Sequence, residues 1–160
     1  MSLQSTLDAI ASERAKIGTA ARGNAAFEKR ETDTYRGVLN QLSPLLQKHD
    51  PQDPAIAAYA YDILGLAQYK TGHASAALEC AKKSIAFSPK NATALYNAAS
   101  YAANMHLLDV SVGFLERAIE ANQEYLTSAR TDPDFDSIRS SAEFIRLVGE
   151  YPPNLLDWLA

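Results

Sequence analysis

Four acidic side chains near the carboxyl-terminal end have the spacing of a calcium-binding loop. They are Asp132, Asp134, Asp136 and Glu143. These residues fall at the first, third, fifth and twelfth places of a D-x-D-x-D-G-x5-E loop, in which carboxylate oxygens bind calcium. The sixth place needs glycine for a sharp turn, but it is Ser137 here. We therefore expect no metal, and favour an alternative in which Asp132 and Ser140 cap helices. In that alternative Phe135 and Ile138 enter the core.

No other set of side chains has a spacing typical of catalysis or of a metal site. His49, His73 and His106 lie far apart without a second type of ligand nearby, so we expect no zinc. Cys80 is the only cysteine, which excludes an internal disulfide and suggests a small core residue. Signatures of a Ser/His/Asp or Cys/His nucleophile and of a glycine-rich phosphate loop are missing. The sequence therefore predicts a protein that is not an enzyme and needs no cofactor.

Aromatic and polar side chains recur on one face of two predicted helices. The first group is Tyr59, Asp62, Leu66 and Tyr69. The second group, at a constant offset from the first, is Thr93, Tyr96, Ser100 and Ala103. Within each group the spacing is i, i+3, i+7 and i+10, so its members share one side of an α-helix. Such a face either binds a partner or is covered by a terminal segment of the chain.

An internal repeat predicts the helices that carry these groups, and its repeat length is the interval from Tyr61 to Leu95. In the first copy the repeated positions are Tyr61, Leu64, Gly65, Ala77, Ala81 and Ser84; in the second they are Leu95, Ala98, Ala99, Ser111, Leu115 and Ala118. Small residues at Gly65 and Ala77 let two antiparallel helices touch backbone to backbone. Gly72 closes the turn between them, and Pro89 ends the second helix, because its ring cannot continue one.

Periodicity and capping residues give the predicted bounds of the central helices. The two copies predict helices at 54–71, 74–87, 91–105 and 108–122. Asp53 provides a cap for the first of them and Pro54 its first position, while Asn91 caps the third.

The flanking segments are predicted to be helical as well. Residues 3–22 and 35–46 both have the spacing of an amphipathic helix. Pro44 interrupts the second stripe, so we expect a kink or a new start there, with Ser43 as its cap. Near the other end, Ser140 and Glu143 form a capping box that opens a helix. The apolar segment 155–159 is then expected to fold back as a lid.

The repeated pattern resembles that of the tetratricopeptide-repeat family. The matching positions are Tyr61, Leu64-Gly65, Ala77 and Pro89, and the phrase DPDFDSIRSSAEFIRLV is similar to the irregular last repeat of many bacterial arrays. The resemblance implies an all-α fold, a right-handed superhelical solenoid of helix-turn-helix hairpins forming one domain, 1–160. Its parts are a divergent helical pair (1–53), two repeats (54–89 and 90–123), and a degenerate repeat with a carboxyl-terminal cap (124–160).

In this family the first helix of each repeat lines a concave groove that binds peptides. The resemblance implies a groove formed by Tyr59, Asp62, Leu66, Tyr69, Thr93, Tyr96, Asn97, Ser100 and Arg130. Asp62, Tyr96 and Arg130 stand one repeat length apart and are expected to form a row, with Tyr96 as the aromatic anchor. Only Asn97 matches the positions with which chaperone-binding members grip a terminal carboxylate, so we expect no binding of an acidic EEVD-type peptide.

Composition limits the class of partner. The chain has 160 residues and a net charge of −4, with Lys and Arg spread along it, so we expect no nucleic-acid partner. No apolar run approaches the ~20 residues of a membrane helix, and the first residues lack a signal-peptide pattern. We therefore expect a cytoplasmic protein without membrane insertion. The predicted function is an adaptor that binds another protein. The alternatives are a small secretion-type chaperone holding an apolar client and a regulatory module of a larger chain.

Overall fold

A computed structural model describes residues 2–17, 25–48 and 51–149, and these ranges are all-helical, without a strand. The helices are α1 (Leu3–Ile17), α2 (Ala25–Lys48), α3 (Pro54–Lys70), α4 (Ala74–Phe87), α5 (Ala92–Asn104), α6 (Leu108–Ala121), α7 (Glu124–Thr131) and α8 (Ala142–Val148), with a 3-10 helix at Pro133–Phe135. The predicted all-α class is confirmed for this part of the chain. None of the described helices combines the length and the apolar content that crossing a bilayer requires.

The chain divides into two compact units, Met1–Pro89 and Lys90–Ala160. In the first unit α1 to α4 pack around a core whose largest buried members are Leu7, Ile10, Tyr35, Val38, Leu42, Ile63 and Leu64. In the second unit α5 packs against α6 and the 3-10 helix, and α7 and α8 pack against α6. The largest fully buried side chains of the second unit are Tyr101, Phe135, Phe144, Leu95 and Leu115.

The four central helices begin and end within one residue of their predicted bounds. The Asp53 carboxylate accepts from the N–H groups of Ala55 at 2.8 Å and Ile56 at 3.3 Å, and Pro54 is the first residue of α3. The Asn91 side chain accepts from the N–H of Ala94 at 3.2 Å. Both predicted caps are confirmed. They form because the first N–H groups of a helix have no acceptor inside it.

The hairpin α5–α6 follows the hairpin α3–α4 at the predicted repeat length, and the hydrogen bonds of their turns repeat at the same interval. In the first turn the N–H of Gly72 donates to Tyr69 C=O (2.9 Å) and that of His73 to Gln68 C=O (2.8 Å). In the second turn the N–H of His106 donates to Ala103 C=O (2.9 Å) and that of Leu107 to Ala102 C=O (3.0 Å). Each pair is a Schellman motif, which requires a residue at positive φ after the helix. Gly72 and His106 both have one, at 87° and 57°.

Close approach of α3 and α4 depends on Gly65. A β-carbon added there would lie 3.2 Å from both the carbonyl oxygen of Ala77 and Cβ of Cys80. In the second hairpin the equivalent position, one repeat length later, is Ala99, whose carbonyl accepts from the buried Ser111 hydroxyl at 2.8 Å. The two hairpins therefore hold their helices together at the same place, one by direct backbone contact and the other through a hydroxyl.

Two local predictions need correction. No new helix starts at Pro44, because α2 is one helix from Ala25 to Lys48 and Ser43 caps nothing; the kink given as the other possibility stays a prediction. Leu42 is fully buried before the proline and Leu46 packs against the same core after it. Burial of such side chains, at roughly 1.5–3 kcal/mol each, offsets the ~3 kcal/mol cost of proline inside a helix.

The second error is the cap of α8, which is one residue away from its predicted place. The hydroxyl of Ser141, and not that of Ser140, accepts from the N–H of Phe144 at 3.3 Å. This register places Phe144 and Val148 in the core, where both are almost fully buried. Residues 18–22 of the first predicted helix, His49 and the predicted lid at 155–159 lie outside the described residues.

Replacing Gly65 by leucine is expected to lower the free energy of unfolding by roughly 1–3 kcal/mol, because the side chain must displace helix backbone. Gly113 provides a matched control, since a β-carbon there meets nothing within 4 Å. Gly113→Leu is expected to raise stability by about 0.5–1 kcal/mol through helix propensity. Urea denaturation of both variants checks this, and equal effects of the two substitutions would contradict the close approach at Gly65.

A reciprocal exchange tests the repeated turn. His106→Gly is expected to raise the free energy of unfolding by about 0.5–1 kcal/mol, because glycine adopts positive φ without steric cost. Gly72→His is expected to lower it by about 1–2 kcal/mol, since a β-carbon disfavours that conformation. Thermal unfolding measures both, and a destabilised His106→Gly variant would show that the histidine side chain itself holds the turn.

Candidate functional site

The α5 face, defined by Thr93, Tyr96, Ser100 and Ala103, is covered by the chain's own residues 125–137. Four hydrogen bonds join them: Thr93 Oγ1 with Tyr125 OH (3.0 Å), Tyr96 OH to Asp132 Oδ2 (2.8 Å), Ser100 Oγ to Asp134 Oδ2 (2.5 Å) and Ser137 Oγ to the Ala103 carbonyl (2.6 Å). All of these residues belong to the second unit. Two of the four residues with calcium-loop spacing, Asp132 and Asp134, therefore bond to residues of the predicted groove, Tyr96 and Ser100.

Tyr96 lies at the centre of this contact. Its ring stacks on Tyr125 with centroids 4.4 Å apart, meets the ring of Phe135 edge-on at 5.5 Å, and leaves only 8% of the residue exposed. Burial, followed by the hydrogen bond to Asp132, raises the pKa of the Tyr96 phenol above its ordinary value. Both causes favour the neutral phenol, which remains a donor to the carboxylate.

The acidic residues of this segment have separate tasks. Asp132 Oδ1 accepts from the N–H of Asp134 at 3.0 Å and caps the 3-10 helix, as predicted. Asp136 pairs with Arg139 at 2.7 Å. Phe135 is fully buried and Ile138 is 5% exposed, which confirms that both enter the core. Within the described ranges, no three His, Cys, Asp or Glu side chains are grouped so that they could hold a metal ion.

Two arginines bind carbonyl groups at the ends of helices. Arg130 Nε donates to the carbonyl of Val148, the last residue of α8, at 2.6 Å. Arg139 donates to the carbonyls of Ala129 and Arg130 near the end of α7, and to that of Asp132 at 2.6 Å. A cation is favoured there, because unpaired carbonyls make the carboxyl end of a helix negative. Arg130, predicted at the basic end of the groove, thus has an intramolecular partner, whereas Arg139 was missed because no sequence spacing relates it to α7.

The α3 face, defined by Tyr59, Asp62, Leu66 and Tyr69, belongs to the first unit. Tyr59 is 44% exposed, and the other three side chains are half-buried. Leu66 packs against the core of that unit. In the second unit Asn97 is also half-buried. The role of these residues in binding a partner stays a prediction.

The first hairpin also carries an aromatic cluster, Tyr61, Lys83 and Phe87, that the sequence reasoning did not single out. The rings of Tyr61 and Phe87 stack with centroids 6.0 Å apart and planes at 8°. The Lys83 ammonium lies 5.2 Å from the centroid of Tyr61. Comparison of the two repeats could have revealed this cluster. Phe87 is aromatic, whereas the equivalent position in the second hairpin is Ala121, a residue with almost no side chain.

Comparisons of this chain with protein-family models, with curated proteins and with solved structures found no match. Function is therefore inferred from the repeated hairpins and from the contacts described above.

Replacing Tyr96 by phenylalanine tests the buried hydroxyl–carboxylate contact. At neutral pH, Tyr96→Phe is expected to lower the free energy of unfolding by about 1.5–3 kcal/mol, the range for a hydrogen bond to a charged group. Because the folded-state pKa is raised, the stability linked to this phenol is present below about pH 10 and is lost as pH rises further. The variant lacks this loss, so its deficit should shrink above pH 10. Urea denaturation at pH 7 and pH 10.5 measures both values, and a deficit unchanged by pH would contradict this account of Tyr96.

Proposed function

We propose that this chain is a tetratricopeptide-like repeat protein and a non-enzymatic adaptor that binds another protein. In this proposal the hairpins α3–α4 and α5–α6 are repeats of a right-handed superhelical solenoid. The proposal is supported by a recurrence at one repeat length. The Schellman hydrogen bonds of the first turn are found again in the second turn, and α6 begins and ends one repeat length after α4. Stacked hairpins of this kind share a core and leave a broad surface, which suits an extended or helical segment of a partner.

The contacts of the two units favour the α3 face as the binding surface. The hydroxyl groups of the α5 face already bond to Tyr125, Asp132 and Asp134, so an incoming peptide would have to displace these half-buried side chains. Tyr59 instead exposes 44% of its surface, beside the half-buried Asp62. An exposed aromatic residue with a charge beside it has the composition of an interface hot spot. We therefore assign the partner-binding role to the α3 face, which includes Asp62, and leave Tyr96 and Arg130 out of it.

Site-specific crosslinking tests this function. A photoreactive phenylalanine analogue is placed at Tyr59, and as a matched control at Glu116, an exposed residue of α6. In cells of the source organism, position 59 is expected to capture one dominant protein that position 116 does not capture. Tyr59→Ala is expected to reduce copurification of that protein by about tenfold or more, the effect of losing a hot spot.

Circular dichroism provides the folding control for Tyr59→Ala. Equal capture at both positions, or undiminished copurification with a folded Tyr59→Ala variant, would place the binding surface elsewhere or show that binding is nonspecific.

A further inference from the structure

The aromatic cluster of Tyr61, Lys83 and Phe87 lies partly at the surface of the first unit. Phe87 is 36% exposed at the end of α4, although its ring lies nearly parallel to that of Tyr61. Tyr61 packs against the core only in part. The exposed part of Phe87, beside the half-buried Tyr61, forms a small apolar platform, on which another aromatic or aliphatic side chain gains contact area.

The second hairpin is an internal control for this cluster. The residues one repeat length later are Leu95 for Tyr61 and Ala121 for Phe87. Leu95 is only 1% exposed, so this position belongs to the core in the second hairpin. The hairpin therefore forms without a second ring at the position of Phe87, and the platform is a property of the first unit alone.

Charge determines which partner fits the platform. The Lys83 ammonium stands over the Tyr61 ring at 5.2 Å, and no described carboxylate forms an ion pair with it. Its neighbour Lys82 differs, because it pairs with Glu79 at 2.8 Å. A carboxylate beside an apolar side chain would find both a surface to pack on and a cation to pair with.

We propose that the aromatic cluster binds a partner segment in which an aromatic residue stands next to acidic residues. This surface differs from the α3 face, because Tyr61 follows Tyr59 by two positions, or about 200° around the helix axis. The proposal adds a second surface to the proposed adaptor, but it does not depend on what Tyr59 binds. Two separate surfaces are what an adaptor needs to hold two partners together.

Fluorescence anisotropy with labelled heptapeptides tests the proposal on the full-length protein. The probe GDEWEDG carries tryptophan between acidic residues, GKKWKKG reverses the charges, and GDEAEDG removes the ring. The acidic tryptophan peptide is expected to bind about tenfold or more tightly than either comparison peptide. Lys83→Glu and Phe87→Ala are each expected to weaken its binding by about tenfold, with helix content unchanged by circular dichroism.

Arg117→Glu is the matched control, because it makes the same change of charge at the position equivalent to Lys83 in the second hairpin. It should leave the affinity unchanged. Three results would overturn the proposal: no saturable binding of GDEWEDG, equal binding of the three peptides, or an equal loss in Lys83→Glu and Arg117→Glu. Crosslinking from Tyr59 is read independently, so a negative result here does not bear on the α3 face.

Discussion

Backbone contact between paired helices is the constraint on which the rest of this structure depends. At Gly65 a β-carbon would stand 3.2 Å from atoms of α4, which is tighter than an ordinary contact, and the equivalent place in the second hairpin is bridged by the Ser111 hydroxyl. Helices that approach so closely must meet through small side chains, and alanine is the commonest buried residue of these hairpins. Larger side chains lie in the cores of the units and also on the α3 and α5 faces, which carry Tyr59 and Tyr96.

Those faces differ in how far the chain's own residues cover them. On α5, hydroxyl groups bond to carboxylates from 125–137 beside the buried rings of Tyr96 and Phe135, so the contact is partly shielded from water. A hydrogen bond to an ionised acceptor is stronger when it is shielded from solvent, so this polar contact also stabilises the second unit. In the first unit, Tyr59 and Phe87 remain partly exposed. Binding of partners is therefore proposed at these partly exposed side chains of the first unit.

The sequence predicted the parts of the fold that depend on local chemistry. The bounds of α3 to α6 follow from the period and from caps such as Asp53 and Asn91, whose acceptors act within three residues of themselves. It failed at Pro44, where burial in the core outweighs a local preference. The contact between the α5 face and 125–137 joins residues 32 to 36 positions apart. The sequence left open whether the α5 face binds a partner or is covered by a terminal segment, and it did not predict which hydroxyl bonds to which carboxylate.

The proton distance between Gly65 and Cys80 tests the central claim, that close backbone contact organises each hairpin. In a nuclear Overhauser spectrum of the folded, fully assigned protein, the account predicts a strong cross-peak between a Gly65 α-proton and the Cys80 β-protons, because a β-carbon at Gly65 would stand only 3.2 Å from that of Cys80. The absence of this cross-peak, with both residues assigned and in helices, would contradict the close approach and the repeat architecture built on it.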